Sequence, residues 1–266
     1  MLRDERFALI ALGGNAFQSK GGKGTPEEYW TNARFAAEAI AEAVESGFKV
    51  VVTHGNGPQV GILLEWMERG RDVNPPMTLD IANAMTQGWL GYILAQSIRN
   101  ELKKRGLLGT RVRGVIALVN QVIVDRHDKA FSEPTKFIGP YYAENEAAKL
   151  MHERGWIMKP DPRGGWRRVV PSPDPLDNAE KEAIKLLVDH GWIVVASGGG
   201  GIPVIEEEGY LLGVEAVIDK DLAGERLATI LGCGLFIILT DVDYVYIKYG
   251  RPDAEPIKTI RVLELE

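Results

Sequence analysis

Cysteine is almost absent from this 266-residue sequence, with Cys233 the only one. An internal disulfide and any multi-cysteine metal or iron–sulfur site are thereby excluded. Basic excess is lacking too: 31 Lys and Arg face 37 Asp and Glu, for a formal net charge of −6. Without Lys/Arg runs there is no basic face to neutralise phosphates, so nucleic acid is not an expected partner. No apolar run approaches the ~18–20 residues of a bilayer span, so no membrane helix is expected. The charged start Met1-Leu2-Arg3-Asp4-Glu5-Arg6 leads straight into an apolar run, unlike a secretory signal. With 45% hydrophobic and 26% charged residues, the expectation is a soluble, cytoplasmic, globular protein.

What is present is a set of short apolar runs that end in unusual loops. Residues 7–12 lead into Gly13-Gly14-Asn15, and residues 49–53 into His54-Gly55-Asn56-Gly57. Residues 192–196 lead into Ser197-Gly198-Gly199-Gly200-Gly201, and 235–239 into Thr240-Asp241-Val242-Asp243. Val/Ile/Leu runs without alternation predict strands buried on both faces, as in a parallel sheet covered by helices. Thr25-Pro26-Glu27-Glu28 is a capping-box start, after which Trp30, Ala33, Ala37, Ile40 and Val44 recur at helical spacing until Gly47. Residues 177–180 predict a second helix start, with Ile184, Leu187 and Val188 on its buried face. Strand and helix in alternation predict an open α/β sheet.

Residues 121–173 break this rhythm. They hold six of the 14 prolines together with Trp156, Trp166, Arg163, Arg167 and Arg168. A disordered linker would not carry such aromatics, so the segment reads as an inserted subdomain or lid. It divides the chain into residues 1–120, 121–173 and 174–266.

Glycines after buried strands let a backbone approach a ligand closely and offer several N–H groups to an anion. Three such loops at one end of a sheet predict a phosphate-rich ligand in the crevice there. The four glycines from Gly198 to Gly201 each sacrifice roughly 0.5–1 kcal/mol of backbone entropy, which tight turning alone does not require. Replacing Gly199 with Val is expected to weaken nucleotide binding and leave the fold intact. No Walker A pattern exists, since Gly21-Gly22-Lys23-Gly24 lacks the spacing and the hydroxyl residue. Gly55, Gly57 and Gly61, with Asp72 beyond them, make only a loosened dinucleotide fingerprint, so an NAD(P)-dependent oxidoreductase is a minor alternative. Lys220, between Asp219 and Asp221, and Lys136, inside the insertion, are the candidate cations for a phosphoryl group in transfer. The bland reading of either is a solvated surface charge.

Taken together the motifs resemble the carbamate kinases of the amino-acid kinase family. The resemblance rests on Ala11-Leu12-Gly13-Gly14-Asn15-Ala16, His54-Gly55-Asn56-Gly57-Pro58-Gln59-Val60-Gly61 and Met85-Thr86-Gln87-Gly88. It continues through residues 131–139, 165–173 and 198–203, then Val217-Ile218-Asp219-Lys220-Asp221-Leu222-Ala223 and Leu239-Thr240-Asp241-Val242-Asp243. It implies a three-layer αβα sandwich around a mostly parallel sheet, with an N-terminal carbamate side, a protruding lid and a C-terminal nucleotide side. The implied reaction is reversible transfer of the ATP γ-phosphate to carbamate, giving ADP and carbamoyl phosphate. A cytoplasmic homodimer, Mg²⁺ held mainly by the nucleotide phosphates, and a place in arginine metabolism are implied with it.

The resemblance also assigns residues. Amides of Gly13, Gly14, Gly55 and Gly57, with side-chain donors from Asn15 and Asn56, would line the acceptor and phosphoryl site. Lys220 would bridge the transferring group, and Asp221 would orient the lysines. Lys136 would replace the lysine that related kinases carry where this chain has Ala11. Gly198, Gly199 and Gly200 would hold the nucleotide phosphates, with Asp241 and Tyr246 near the adenosine. No residue is assigned as a metal ligand. Carbamate kinases continue into a Gly-Ser-Met-Gly-Pro-Lys motif whose lysine reaches the nucleotide, which this sequence lacks before Glu266. The alternative is therefore a catalytically weak protein that binds nucleotide or carbamoyl phosphate.

Overall fold

The structure, a computed structural model, describes residues 4–13, 17–18, 21–240, 242, 244–261 and 264. Strand β1 (Asp4–Leu12) is followed by helix α1 (Pro26–Glu45) and strand β2 (Lys49–His54). Thr25 caps α1, its hydroxyl accepting from the Glu28 amide at 3.3 Å, and Pro26 opens the first turn. The Glu28 carboxylate reaches one residue beyond the expected box and accepts from the Gly24 amide at 2.8 Å. Helices α2 (Gly57–Arg69) and α3 (Leu79–Lys104) come next, then β3 (Gly114–Ala117) and β4 (Gln121–Val124). The insertion supplies β5 (Lys136–Tyr142), α4 (Glu144–Arg154), β6 (Met158–Pro160) and β7 (Trp166–Val170). After β8 (Pro175–Asn178) come α5 (Lys181–Asp189), β9 (Trp192–Val195), β10 (Ile202–Glu207) and β11 (Tyr210–Gly213). The remaining elements are α6 (Lys220–Leu231), β12 (Cys233–Leu239), β13 (Val245–Ile247) and β14 (Glu255–Ile257).

The central sheet runs β12-β1-β2-β9-β3, with every neighbouring pair parallel. Its residues alternate between two cores. Ile10, Leu12, Val50, Val52, Ile193 and Val195 pack with α1 and α3. Phe7, Leu9, Ala11, Val51 and Val194 pack on the other face with Ile184, Val188, Leu227 and Leu231 of α5 and α6. This is the expected three-layer sandwich: both faces of each strand are buried, hence the unalternating apolar runs. Among the described residues no helix is long and apolar enough to cross a membrane.

A second sheet, β11-β10-β4-β8, draws strands from both sides of β9 in sequence and contains the first strand of the presumed insertion. Val122 and Val124 of β4 bury against Ile218 and Ala223, so the separate unit begins at Lys136 rather than residue 121. The expected helix start at 177 is displaced in the same way. Residues 175–178 pair antiparallel with β4, and α5 opens at Lys181.

The unit itself is a three-stranded antiparallel sheet, β5-β7-β6, with α4. Its arginines hold it together. Buried Asp161 pairs with Arg163 and Arg167, each at 3.1 Å. The Arg163 side chain and amide, with Arg167, hold its carboxyl well below the usual carboxylate range. Arg167 also lies over the Tyr141 ring and Arg168 over Trp156, at 5.0 and 4.9 Å. Three ion pairs among the described residues tie the unit to the rest: Lys136 to Asp219 at 2.8 Å, Arg168 to Glu215 at 3.1 Å and Arg154 to Glu68 at 3.3 Å.

Candidate active site

Because β12, β1, β2 and β9 are parallel neighbours, the loops that follow them share one edge of the sheet. Ligands of open α/β sheets bind in the crevice outside such strand ends. The amides there are less available than the glycine pattern predicts. Gly13 donates to the Leu239 carbonyl at 2.8 Å and Gly55 to the Leu12 carbonyl at 3.1 Å, so both extend the strand pairing instead of facing a ligand. The Asn56 side chain is committed as well, its amide nitrogen donating to Asn83 Oδ1 and, at 2.8 Å, to Thr86 Oγ1. Of that loop, Gly57 stands at the first turn of α2, where helix amides have no partner within the helix. Gly14, Asn15 and Asp241 lie outside the described residues.

The glycine run after β9 forms a tight turn, with Gly200 donating to Ser197 and Gly201 to Gly198. The amides of Gly198 and Gly199 are not used by that turn. Packing here is close. A Cβ on Gly198 would stand 2.4 Å from His54 Nε2, and one on Gly199 2.1 Å from Asn56 Nδ2. Gly199 also has φ +66°, so the expectation that Gly199→Val spares the fold is wrong: these glycines fill a buried interior. Ser197 is itself left-handed at φ 51°, a conformation costing a non-glycine residue about 1–3 kcal/mol. It is held by its neighbours. Its amide donates to Asn120 Oδ1 at 2.7 Å, its hydroxyl accepts from Asn178 at 3.0 Å, and its carbonyl accepts from Thr53 at 2.9 Å.

His54 is buried at the end of β2, and burial pushes its pKa down to about 4, so the ring is neutral near pH 7. Its Nδ1–H donates to the Gly55 carbonyl at 3.0 Å, which leaves Nε2 as the nitrogen that meets Gly198.

Lys220 and Lys136 arrive from different elements. Lys220 opens α6, its stem lying over Gly55 so closely that a Cβ there would stand 2.9 Å from Cδ. Its ammonium pairs with Asp221 at 2.8 Å. Lys136, at the start of β5, pairs with Asp219 at 2.8 Å. The expectation that Asp221 orients both lysines is therefore corrected, since Asp219 holds Lys136. Asp219 is also the cap of α6, accepting from the Asp221 amide at 2.9 Å. Burial raises its carboxyl, but Lys136 and that amide outweigh burial and leave it below its ordinary value. Tyr246 is not drawn into this group. Its ring contacts are with Tyr244 and Tyr249 in the β13–β14 hairpin. Sequence reasoning missed Asp219, although the cap position before an amphipathic run is a readable signal. It also missed Asn83 and Asn120, which nothing in the sequence marks.

Residues 6–266 match the amino acid kinase family. The chain belongs to that family. The carbamate kinase of Pyrococcus horikoshii is 51% identical over 97% of this chain and 82% of its own length. That of Clostridium perfringens is 45% identical over 97% and 82%. Among solved structures, carbamate kinase from Giardia lamblia bound to AMP-PNP superposes with a TM-score of 0.85 at 40% identity, over 95% of this chain and 79% of that one. The family and these relatives make this chain a kinase-type phosphotransferase by descent.

Proposed function

We propose that the chain transfers the γ-phosphoryl group of ATP reversibly to carbamate, giving ADP and carbamoyl phosphate. The observation that carries the reading is the run Asp219-Lys220-Asp221, whose two carboxylates hold two lysines from separate elements, one of them, Lys220, lying over Gly55. In the forward direction a carbamate oxygen forms the new bond to phosphorus while the bond to the β–γ bridging oxygen breaks. That electron pair leaves with ADP. Carbamate is already an anion, so no general base is needed. Charge on the equatorial oxygens grows in the transition state, and an ammonium fixed in place stabilises it more than the ground state. Each lysine has three N–H donors and gives one to its aspartate, which aims it and leaves the others for phosphoryl oxygens.

The β5-β7-β6 unit carries Lys136, and in this reading it closes over the bound substrates and excludes water that would hydrolyse the product. Mg²⁺ fits as a nucleotide-borne ion. Asp221 Oδ1 is buried without a partner and could supply one oxygen, while no group of three His, Cys, Asp or Glu forms a cage among the described residues. When bound, the ion would neutralise the phosphates; Lys136 and Lys220 would still make the contacts to the moving group. A cytoplasmic homodimer working in arginine metabolism is the setting that the family resemblance supports. The test is ATP formation from ADP and carbamoyl phosphate. Steady turnover supports the kinase, whereas tight binding of both without turnover favours the weak-binder alternative.

A further inference from the structure

Helix α3 carries a buried polar row, Asn83, Thr86 and Gln87, at spacings that place all three on one face. The phosphoryl-transfer scheme uses none of them, yet each contacts a glycine loop or the residue beside it. Gln87 is fully engaged: its Nε2 donates to the Gly198 carbonyl at 3.1 Å and to the Asn120 carbonyl at 3.2 Å, and its Oε1 accepts from the Asn120 amide at 3.0 Å. Asn120 in turn accepts from the amide of left-handed Ser197. One side chain thus holds the first glycine of the turn directly and the residue before it through Asn120. Thr86 serves the other loop, its hydroxyl accepting from Asn56 at 2.8 Å and donating to the Asn83 carbonyl at 2.7 Å.

We propose that Gln87 is a positioning residue chiefly for the nucleotide and Thr86 chiefly for the acceptor, the one helix face setting both loops while Asn83, which accepts from Asn56 and donates to the Gly201 carbonyl at 2.5 Å, joins them. This rests on the reading above, in which the loop around Gly199 faces nucleotide and the loop around Asn56 faces carbamate. Loss of an anchor should then weaken one ligand far more than the other, a split that general destabilisation would not produce.

The experiment is calorimetric titration of AMP-PNP with Mg²⁺, and separately of carbamoyl phosphate, into the wild-type chain, Gln87→Leu, Gln87→Glu and Thr86→Val. Stoichiometry reports the folded fraction of each. Gln87→Leu should raise the Kd for AMP-PNP tenfold or more and leave that for carbamoyl phosphate within twofold; Thr86→Val should do the reverse. Gln87→Glu keeps the size and the acceptor but loses the donor while ionised. Its AMP-PNP affinity should move back towards wild type as pH falls and the buried carboxyl gains a proton, and this variant carries the test if Gln87→Leu does not fold. Equal weakening of both ligands, or no weakening by Gln87→Leu, overturns the proposal. Failure of the wild-type chain to bind either ligand overturns the functional reading itself, and the proposal with it.

Discussion

The two halves of the candidate site are built from opposite materials. Around the glycine turn, buried amides and hydroxyls of Asn56, Asn83, Thr86, Gln87, Asn120, Asn178 and Ser197 satisfy one another. Around the lysines, half-exposed ion pairs join Lys136 to Asp219 and Lys220 to Asp221. A buried neutral network fixes geometry, because each member lost leaves a partner unsatisfied at about 1–3 kcal/mol. These pairs are partly screened by solvent, so opening one should cost less than breaking the buried network, and in the proposed reaction the ammonium groups exchange a carboxylate for a phosphoryl oxygen. In the proposed reaction the first half would hold substrates in place and the second would respond to charge as it moves.

This contrast can be broken most severely at Gly199. In Gly199→Val the left-handed backbone, the displaced Asn56 amide and the broken network together should cost about 5 kcal/mol, close to the whole stability of a domain. Thermal unfolding should show a large drop in Tm or no cooperative transition; an unchanged Tm would mean the turn is not the rigid half. A smaller effect comes from His54. Its folded pKa of about 4 lies below the ordinary value of 6.5, so the unfolded chain takes up the proton first as pH falls. Stability from this group is complete above pH 6.5 and lost between there and pH 4, by about 3 kcal/mol. Chemical unfolding of wild type and His54→Gln across that window should show the slope in the first and a flatter curve in the second. Equal slopes would place the titration elsewhere. The smallest effect is expected for Arg154→Gln, which removes one tie between the β5-β7-β6 unit and α2. Stability should change by less than about 1 kcal/mol, while amide exchange in residues 144–170 speeds up relative to the central sheet. Exchange that is unchanged in both regions would show that this tie does not restrain the unit.

The strands and their terminal loops were legible because strands buried on both faces leave unbroken apolar runs, and glycine is the residue that tolerates the close contacts that follow. Lys220 stands out in the sequence from Asp219-Lys220-Asp221 set after an apolar run, and Lys136 from its place inside the insertion. Which carboxylate serves which lysine was not legible, since Lys136 meets Asp219 across 83 residues of chain. The use of the Gly13 and Gly55 amides was hidden for a similar reason: strand pairing, and not local spacing, decides where a backbone donor goes. The buried network left almost no trace, because Gln87 and Gly198 stand 111 residues apart. The limits of the insertion were misread from its prolines, because β4 belongs by its buried valines to the body.

In the proposed reaction Lys220 acts on the phosphoryl group in transfer and not as a surface charge. This role is tested most directly by single-turnover ATP formation from carbamoyl phosphate and enzyme-bound ADP, comparing wild type with Lys220→Ala at matched ADP occupancy. Removing one preorganised donor typically costs about 2.7–4 kcal/mol. The rate should fall by two to three orders of magnitude, with ADP affinity and Tm nearly unchanged. A Lys220→Ala chain that forms ATP as fast as wild type would contradict that role.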